Sequence, residues 1–269
     1  MFFLPASACI VLSLLSIDVA ASPAQRPFRL GSGLEHEAED GTLAGWLDPR
    51  LGGGRLLDYT TKTRGEPLNV IISGTSDPFI LTDEGFAAYV RSIGYARECM
   101  GMHMGHIHLA NLGDGDGRKP EALLFRQHYR MPGWGTCWES LAGGHHFRAW
   151  RQNGTHGNSG AWFLGASKEE DSSRSHTIVA NGYNIGRDWL VAQALAGSEL
   201  VLPPGVLAPA PRTIRDGWPW PGTGGERLQW RAEVEWVAGL LEPGRRGVNH
   251  NIAQDGRVAI LTVFRVPTD

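Results

Sequence analysis

The feature that most constrains the fold is a segment near the carboxyl end in which apolar and polar residues alternate. The apolar side chains fall on every second residue, at Leu228, Trp230, Ala232, Val234 and Trp236. The residues between them are polar, namely Gln229, Arg231, Glu233 and Glu235. A period of two is typical of an antiparallel strand with one face buried and the other in water. The segment therefore predicts a protein built on a sheet.

Other parts of the chain predict further strands and two helices. Strands are expected at Leu68 to Ile72, Leu123 to Tyr129, Gly144 to Arg151, Ala161 to Ala166 and Arg257 to Val266. One helix begins after the capping residue Thr82 and ends at Gly94, and a second begins near Ile185. We therefore predict a single α+β domain with a mixed or antiparallel sheet, at least two helices packed on it, and loops rich in glycine and proline.

The amino-terminal region predicts export of the chain. Phe2 to Leu15 is apolar and uncharged, and small residues precede Ser22, so residues 1–21 are expected to be a signal peptide. Residues 22–66 predict an extended arm, and residues 67–269 predict the domain, with a proline-rich loop at 202–225. No later segment approaches the length of a membrane span. We expect a secreted, extracellular protein without a membrane span in the mature chain.

Cysteine usage and charge narrow the chemistry. Removal of the signal peptide leaves Cys99 and Cys137, which are expected to form a disulfide in an oxidising compartment. Asn153 begins an Asn-Gly-Thr sequon and is the expected glycosylation site. The formal net charge is −3 and no basic run is present, so nucleic acid is not an expected partner.

No cofactor or metal is predicted from the motifs. The segment from His103 to His108, which includes His106, matches no standard zinc spacing and is better explained as a polar strand edge. None of the glycine pairs has the strand–glycine–helix setting of a dinucleotide-binding fold.

Candidate chemistry is concentrated in the strand predicted at Gly144 to Arg151. Alternation places His146, Arg148 and Trp150 on one face of that strand. A second histidine, His176, lies on a polar loop that can fold back over this face. Histidine exchanges protons near neutral pH, and arginine binds carboxylate or phosphate, so His146 and His176 are catalytic candidates and Arg148 and Trp150 are ligand-binding candidates. The alternative is a histidine and an arginine that satisfy each other beside a structural tryptophan.

The order of several motifs resembles a known domain. The motifs are Pro67 to Gly74, Gly94-Tyr95, His145 to Trp150, Ala161 to Ser167, His176 and Arg187-Asp188. Together they resemble the LssY C-terminal-like domain over roughly Pro67 to Leu195, and this resemblance adds Arg187 and Asp188 to the expected ligand site. The mature chain also resembles a group of fungal secreted proteins of unknown function, through Leu57 to Thr63, Ala110 to Gly115 and Asn249 to Ala253. The resemblance implies a fold and secretion, and it implies no reaction.

Three functions are compatible with these patterns, and whether the protein is an enzyme stays open. The first is a secreted, disulfide-bonded glycoprotein that binds a small anionic or glycan-like ligand in a pocket of histidine, arginine and tryptophan. The second is a secreted hydrolase of a phosphoester or related bond, with His146 and His176 as an acid–base pair and Arg148 holding the anion. The third is a cell-wall or host-surface interaction protein that uses Trp218 and Trp220.

Overall fold

The computed structural model describes residues 45–100, 108–131, 134–201 and 227–266. The predicted signal peptide, the predicted loop at 202–225 and the first half of the predicted arm lie outside these ranges.

The described chain contains ten strands and three α-helices. The strands are β1 Val70–Ile72, β2 Tyr95–Arg97, β3 Leu109–Asn111, β4 Arg118–Pro120, β5 Leu123–Gln127, β6 Gly144–Arg151, β7 Trp162–Glu169, β8 Ser198–Val201, β9 Arg227–Val237 and β10 Val258–Val266. The helices are α1 Asp83–Ser92, α2 Gly135–Ala142 and α3 Gly182–Leu195. Short 3-10 helices occupy Pro49–Gly52, Ser172–Arg174 and Asn249–Asn251.

Eight of the strands form one mixed sheet in the order β2-β5-β6-β7-β1-β10-β9-β8. The pairing of β1 with β10 is parallel, and the other pairings in this sheet are antiparallel. Strands β3 and β4 form a separate antiparallel pair. This architecture confirms the predicted α+β domain with a mixed sheet and helices packed on it.

The sheet buries apolar side chains on both faces. On the first face, Val70 and Ile72 of β1 pack in a core that also contains Phe86 of α1 and Leu190 of α3. On the second face, Ile71 packs in a core covered mainly by loops. Strand β1 lies between β7 and β10, and a hydrophobic core covers each of its faces, which explains its continuous apolar sequence.

The long strands follow the predicted patterns closely. Strand β9 buries Leu228 and Trp230 and exposes Arg231, Glu233 and Glu235, as the alternation requires. Helix α1 begins as predicted, because the Thr82 hydroxyl accepts a hydrogen bond from the amide of Gly85 at 3.0 Å.

Five short elements were not predicted: β2, β3, β4, β8 and α2. Helix α2 begins after Trp134 without a side-chain cap, so it lacks a recognisable start signal. It carries Cys137, which is bonded to Cys99 with a Cα–Cα distance of 5.4 Å. The predicted disulfide is therefore confirmed. None of the helices in the described ranges is long and apolar enough to cross a bilayer.

Helix α3 approaches β7 closely at a glycine. A Cβ atom on Gly186 would lie 2.3 to 2.5 Å from backbone atoms of Ser167. Backbone cannot rotate away as a side chain can, so this distance fixes glycine at position 186. The contact holds α3 against the strand that carries the candidate site described below.

We expect Gly186→Ala to destabilise the protein by about 1–3 kcal/mol, although alanine is the better helix former. The added methyl group has to push α3 away from β7. Gly165→Ala is the matched control, because its Cβ would meet neighbours at 3.5 Å or more. The measurement is chemical unfolding of both variants, and a Gly186→Ala protein as stable as Gly165→Ala would contradict the packing described.

Candidate functional site

Polar residues of three neighbouring strands meet on the second face of the sheet. The register pairs His146 of β6 with Arg126 of β5 and with Ser167 of β7, so these side chains lie side by side. Glu169 follows Ser167 by two residues and therefore projects from the same face. Its partner across the strands is Gly144, which has no side chain and leaves space there. Strand register alone thus gathers an arginine, a histidine and a glutamate.

The carboxylate of Glu169 is the centre of this cluster. Nη1 of Arg126 donates to Oε2 of Glu169 at 2.8 Å and to Oε2 of Glu139, from α2, at 2.8 Å. Nε2 of His146 lies 3.4 Å from Oε1 of Glu169. All four side chains are buried. A Cβ on Gly144 would come within 2.8 Å of Cγ of Glu139. The absence of a side chain at position 144 therefore allows Glu139 of α2 to reach Arg126.

A second ion pair extends the cluster along β6. Arg148 donates from Nη1 to Oε2 of Glu66 at 3.0 Å, and the same nitrogen lies 3.4 Å from Nε2 of His146. The residue paired with Arg148 on β7 is Gly165. Charged groups of opposite sign therefore alternate along this face, with the imidazole of His146 between Arg148 and Glu169.

The loop after β7 returns to cover Glu169 with a histidine. Ser175 and His176 both adopt left-handed backbone, with φ of 54° and 53°, a conformation uncommon in residues other than glycine. Beyond them Ile178 bridges back to Glu169. This turn places Nδ1 of His176 3.5 Å from Oε2 of Glu169. The His176 side chain is 24% exposed, so it links the buried carboxylate to solvent.

Beyond Arg148 lies a second group of acids and histidines. Nδ1 of His108 is 2.6 Å from Oδ2 of Asp58, and Oδ1 of Asp58 accepts from the backbone amide of Glu66 at 2.6 Å. One ligand-type atom from each of these three buried residues lies within 4.8 Å of the other two. His250 approaches from the solvent side, with Nε2 3.9 Å from Oε1 of Glu66.

A small apolar cluster holds the two loops that carry the partly exposed histidines. Ile178, two residues after His176, packs with Tyr183 of α3 and with Val248, two residues before His250. All three apolar side chains are buried. The two histidines are therefore positioned by packed segments of backbone.

Burial and neighbouring charges shift the pKa values of the titratable groups of the cluster in different directions. Burial raises the pKa of Glu139 to about 7, although Arg126 opposes this. Burial lowers the pKa of His146 to about 3, so this imidazole is neutral at pH 7. Burial also disfavours the charge on Glu169, but the neighbouring histidines and Arg126 outweigh it and hold the pKa of Glu169 below its usual value. The Glu169 carboxylate raises the pKa of His176.

The predicted site residues fall in three places. His146, Arg148 and His176 lie together in the cluster around Glu169. Trp150, on the same face of β6, is buried in the core of the second face, where the alternation of the strand directs it.

Arg187 and Asp188 lie at a different position on α3. Arg187 is buried and bonded to Asp188 and to Asp255, and it also donates to the carbonyl of Arg257 at 2.8 Å. These contacts fix the amino-terminal part of α3 to the turn before β10. No described hydrogen bond or ion pair joins Arg187 or Asp188 to the cluster around Glu169.

None of the carboxylates in the cluster around Glu169, or in the neighbouring group of Asp58, Glu66 and His108, was predicted as a site residue. Glu139 belongs to a helix that was not predicted, and Asp58 and Glu66 lie in the segment predicted to be an arm. Glu169 was missed because the strand was expected to end at Ala166. Extending the strand alternation past Ala166 places Glu169 on the face that carries His146, so this signal was available.

Other predictions stay open. Asn153 is exposed, and its Oδ1 accepts from Lys119 at 3.1 Å, but its glycosylation stays a prediction. His103 and His106, like Trp218 and Trp220, lie outside the described ranges.

No protein family, curated protein or solved structure matches the chain. The geometry of the cluster therefore carries the functional argument.

We expect the stability of the wild-type protein to fall as the pH rises from about 5 to about 8, and Glu139→Gln to reduce this fall. The folded-state pKa of Glu139, about 7, exceeds its ordinary value of 4.5, so folding favours the protonated carboxyl. That contribution is complete below the ordinary pKa and is lost as the pH rises through about 7, a change on the order of 3 kcal/mol. The measurement is the free energy of unfolding as a function of pH.

The control for this experiment is Glu233→Gln, at an exposed position of β9. It removes the same charge without touching the cluster and should leave the pH dependence as in the wild type. Identical pH profiles for Glu139→Gln and the wild type would show that Glu139 does not hold its proton as described.

Proposed function

We propose that the protein is a hydrolase of a phosphoester or related bond, with His176 transferring the proton and Glu169 orienting its imidazole. The observation that carries this proposal is the Glu169 carboxylate between two imidazoles, one buried and one partly exposed. His146 and His176 were the predicted acid–base pair, and Glu169 supplies a carboxylate that both of them approach.

Two further properties support catalysis at this position. Groups with shifted pKa values and opposite directions of shift are characteristic of sites that move protons. His176 also has left-handed backbone, and such conformations are concentrated at functional sites because the surrounding structure has to impose them.

The roles follow from exposure and charge. His176, partly exposed and with its pKa raised by Glu169, donates a proton to the leaving oxygen as the ester bond breaks. Water supplies the hydroxyl group of the acid product, and the proton that water releases returns to His176. Glu169 keeps its negative charge and orients the imidazole. Arg148, with its side chain 13% exposed, is the cation that faces the anionic oxygens of the substrate.

A site that only captures an anion is less well supported. Arg148 is already bonded to Glu66, and Arg187 to Asp255 and Asp188. Within the described ranges, the carboxyl groups near Arg148 and Arg126 outnumber the guanidinium groups. Proton transfer gives Glu169 a role, as the carboxylate that orients His176, whereas capture of an anion alone gives none of these carboxyl groups a role.

We also propose that the protein is secreted and glycosylated at Asn153. The apolar amino-terminal run, the sequon and the resemblance to the LssY C-terminal-like domain and to fungal secreted proteins support this proposal. The disulfide between Cys99 and Cys137 is compatible with an oxidising compartment.

We expect the wild-type protein to hydrolyse at least one of p-nitrophenyl phosphate, bis-p-nitrophenyl phosphate and p-nitrophenyl acetate. His176→Ala should lower kcat by about 10²- to 10⁴-fold, because the leaving oxygen loses its proton donor. The kcat/KM of the wild type should fall as the pH rises through a value above 6.5, the ordinary pKa of histidine. The measurement is steady-state release of p-nitrophenol across pH.

His156→Ala is the control, since His156 is exposed and lies on a turn outside the cluster. It should match the wild type in kcat and in pH profile. The proposal fails if none of the three substrates is hydrolysed, or if His176→Ala retains the activity of His156→Ala.

A further inference from the structure

The group formed by Asp58, Glu66 and His108 has the composition of a metal site. It offers two carboxylates and one imidazole, and a ligand-type atom of each lies within 4.8 Å of the others. All three residues are buried. A mixed set of oxygen and nitrogen donors suits Zn²⁺, Mn²⁺ or Fe²⁺ better than Ca²⁺ or Mg²⁺, which prefer oxygen alone.

The two carboxylates of this group have few direct hydrogen bonds to cationic side chains. Nη1 of Arg148 bonds to one oxygen of Glu66. The guanidinium group of Arg55 interacts electrostatically with Asp58, but its hydrogen bonds go to the backbone carbonyls of Leu57 and Asp58. Among the described hydrogen bonds, these two buried carboxylates therefore accept from one guanidinium group. Buried carboxylates require a compensating cation or a proton.

One oxygen of Glu66 is left for a ligand. Oε2 accepts from Arg148, whereas Nε2 of His250 lies 3.9 Å from Oε1, too far for a hydrogen bond. The Glu66 side chain is more than nine-tenths buried, so this oxygen gains little from bulk water. It points towards the side on which a fourth donor, His250, is available.

Backbone hydrogen bonding and backbone conformation hold the proposed ligands in position. The amide of Glu66 donates to Oδ1 of Asp58, which fixes one carboxylate relative to the other. Nδ1 of His108 and Oδ2 of Asp58 lie 2.6 Å apart, so these two donor atoms are already side by side. His250 and Asn251 adopt left-handed backbone, with φ of 52° and 57°. That turn directs His250 towards Glu66 from the solvent side, where its side chain is 31% exposed.

We propose that Asp58, Glu66 and His108 bind a divalent transition-metal ion, with His250 at the solvent side of the site. The neighbouring Arg148 separates this ion from the cluster around Glu169. The proposal is independent of hydrolysis, since metal binding is measured without a substrate. It assigns a role to two buried acids that the proton-transfer mechanism does not use.

The test uses the full chain, with any polyhistidine tag removed and bound metal stripped by a chelator. We expect the wild type to bind about one equivalent of Zn²⁺ by calorimetry and to give visible absorption with Co²⁺. Glu66→Gln and His108→Gln should each weaken Zn²⁺ binding by at least about 10-fold. Glu139→Gln is the matched control: it neutralises a buried glutamate of the neighbouring cluster and should bind as the wild type does.

A second control addresses the other histidines of the same segment. The double variant His103→Ala, His106→Ala should bind Zn²⁺ as the wild type does, because neither residue belongs to the proposed site. Binding that is lost in this variant but kept in Glu66→Gln would assign the metal to those histidines and overturn the proposal. Absence of binding by the wild type to Zn²⁺, Mn²⁺ and Co²⁺ would also overturn it.

X-ray absorption of the Zn²⁺-loaded wild type gives a result that needs no variant. We expect nitrogen and oxygen ligands only, including at least one imidazole, at about 2.0–2.2 Å. A sulfur ligand would contradict the proposed residues. This measurement keeps the proposal testable even if Glu66→Gln or His108→Gln fails to fold.

Discussion

The buried bond between Arg126 and Glu169 is the interaction on which the candidate site depends. Arg126 bridges two buried carboxylates, and removal of either group of an ion pair leaves an uncompensated charge inside the protein. The desolvation of these charges is costly, so they persist only where the geometry is fixed by β5, β7 and α2. Glu169 then provides the oxygens that His146 and His176 approach. The strands and α2 thus position Arg126 and its two carboxylates, and the histidines lie around Glu169.

Two glycines at close approaches allow this assembly. Gly144 lies opposite Glu169 across the strands, and a Cβ there would collide with Glu139. Gly186 lets α3 approach the backbone at Ser167, next to the cluster. The two partly exposed histidines instead come from loops with left-handed backbone, held by a common apolar cluster. As a result, the polar side chains on the strands are held in place by the sheet, and His176 and His250 lie on the solvent side of them.

The sequence predicted the parts of the fold that have regular patterns. Strand β6 was predicted with its observed ends, because alternation of His146 and Arg148 with apolar residues marks it clearly. Helix α2 has no cap signal and β2 has three residues, so neither was predicted. Local pattern could have found Glu169, by alternation along its strand, but not Glu66 or Glu139, which join the cluster only through contacts between distant segments. Alternation places Trp150 on the second face of the sheet but does not reveal that a hydrophobic core covers that position.

The most direct test of this account is a double-mutant cycle on Arg126 and Glu169, measured by chemical unfolding. We expect Arg126→Met and Glu169→Gln each to destabilise the protein by about 3–5 kcal/mol, because each breaks a buried ion pair and leaves the remaining charge less well compensated. The double variant should be more stable than the sum of the two losses allows, by at least about 1 kcal/mol. Losses that add to within about 0.5 kcal/mol would show that the two residues do not depend on each other. That result would contradict a site organised around the Glu169 carboxylate.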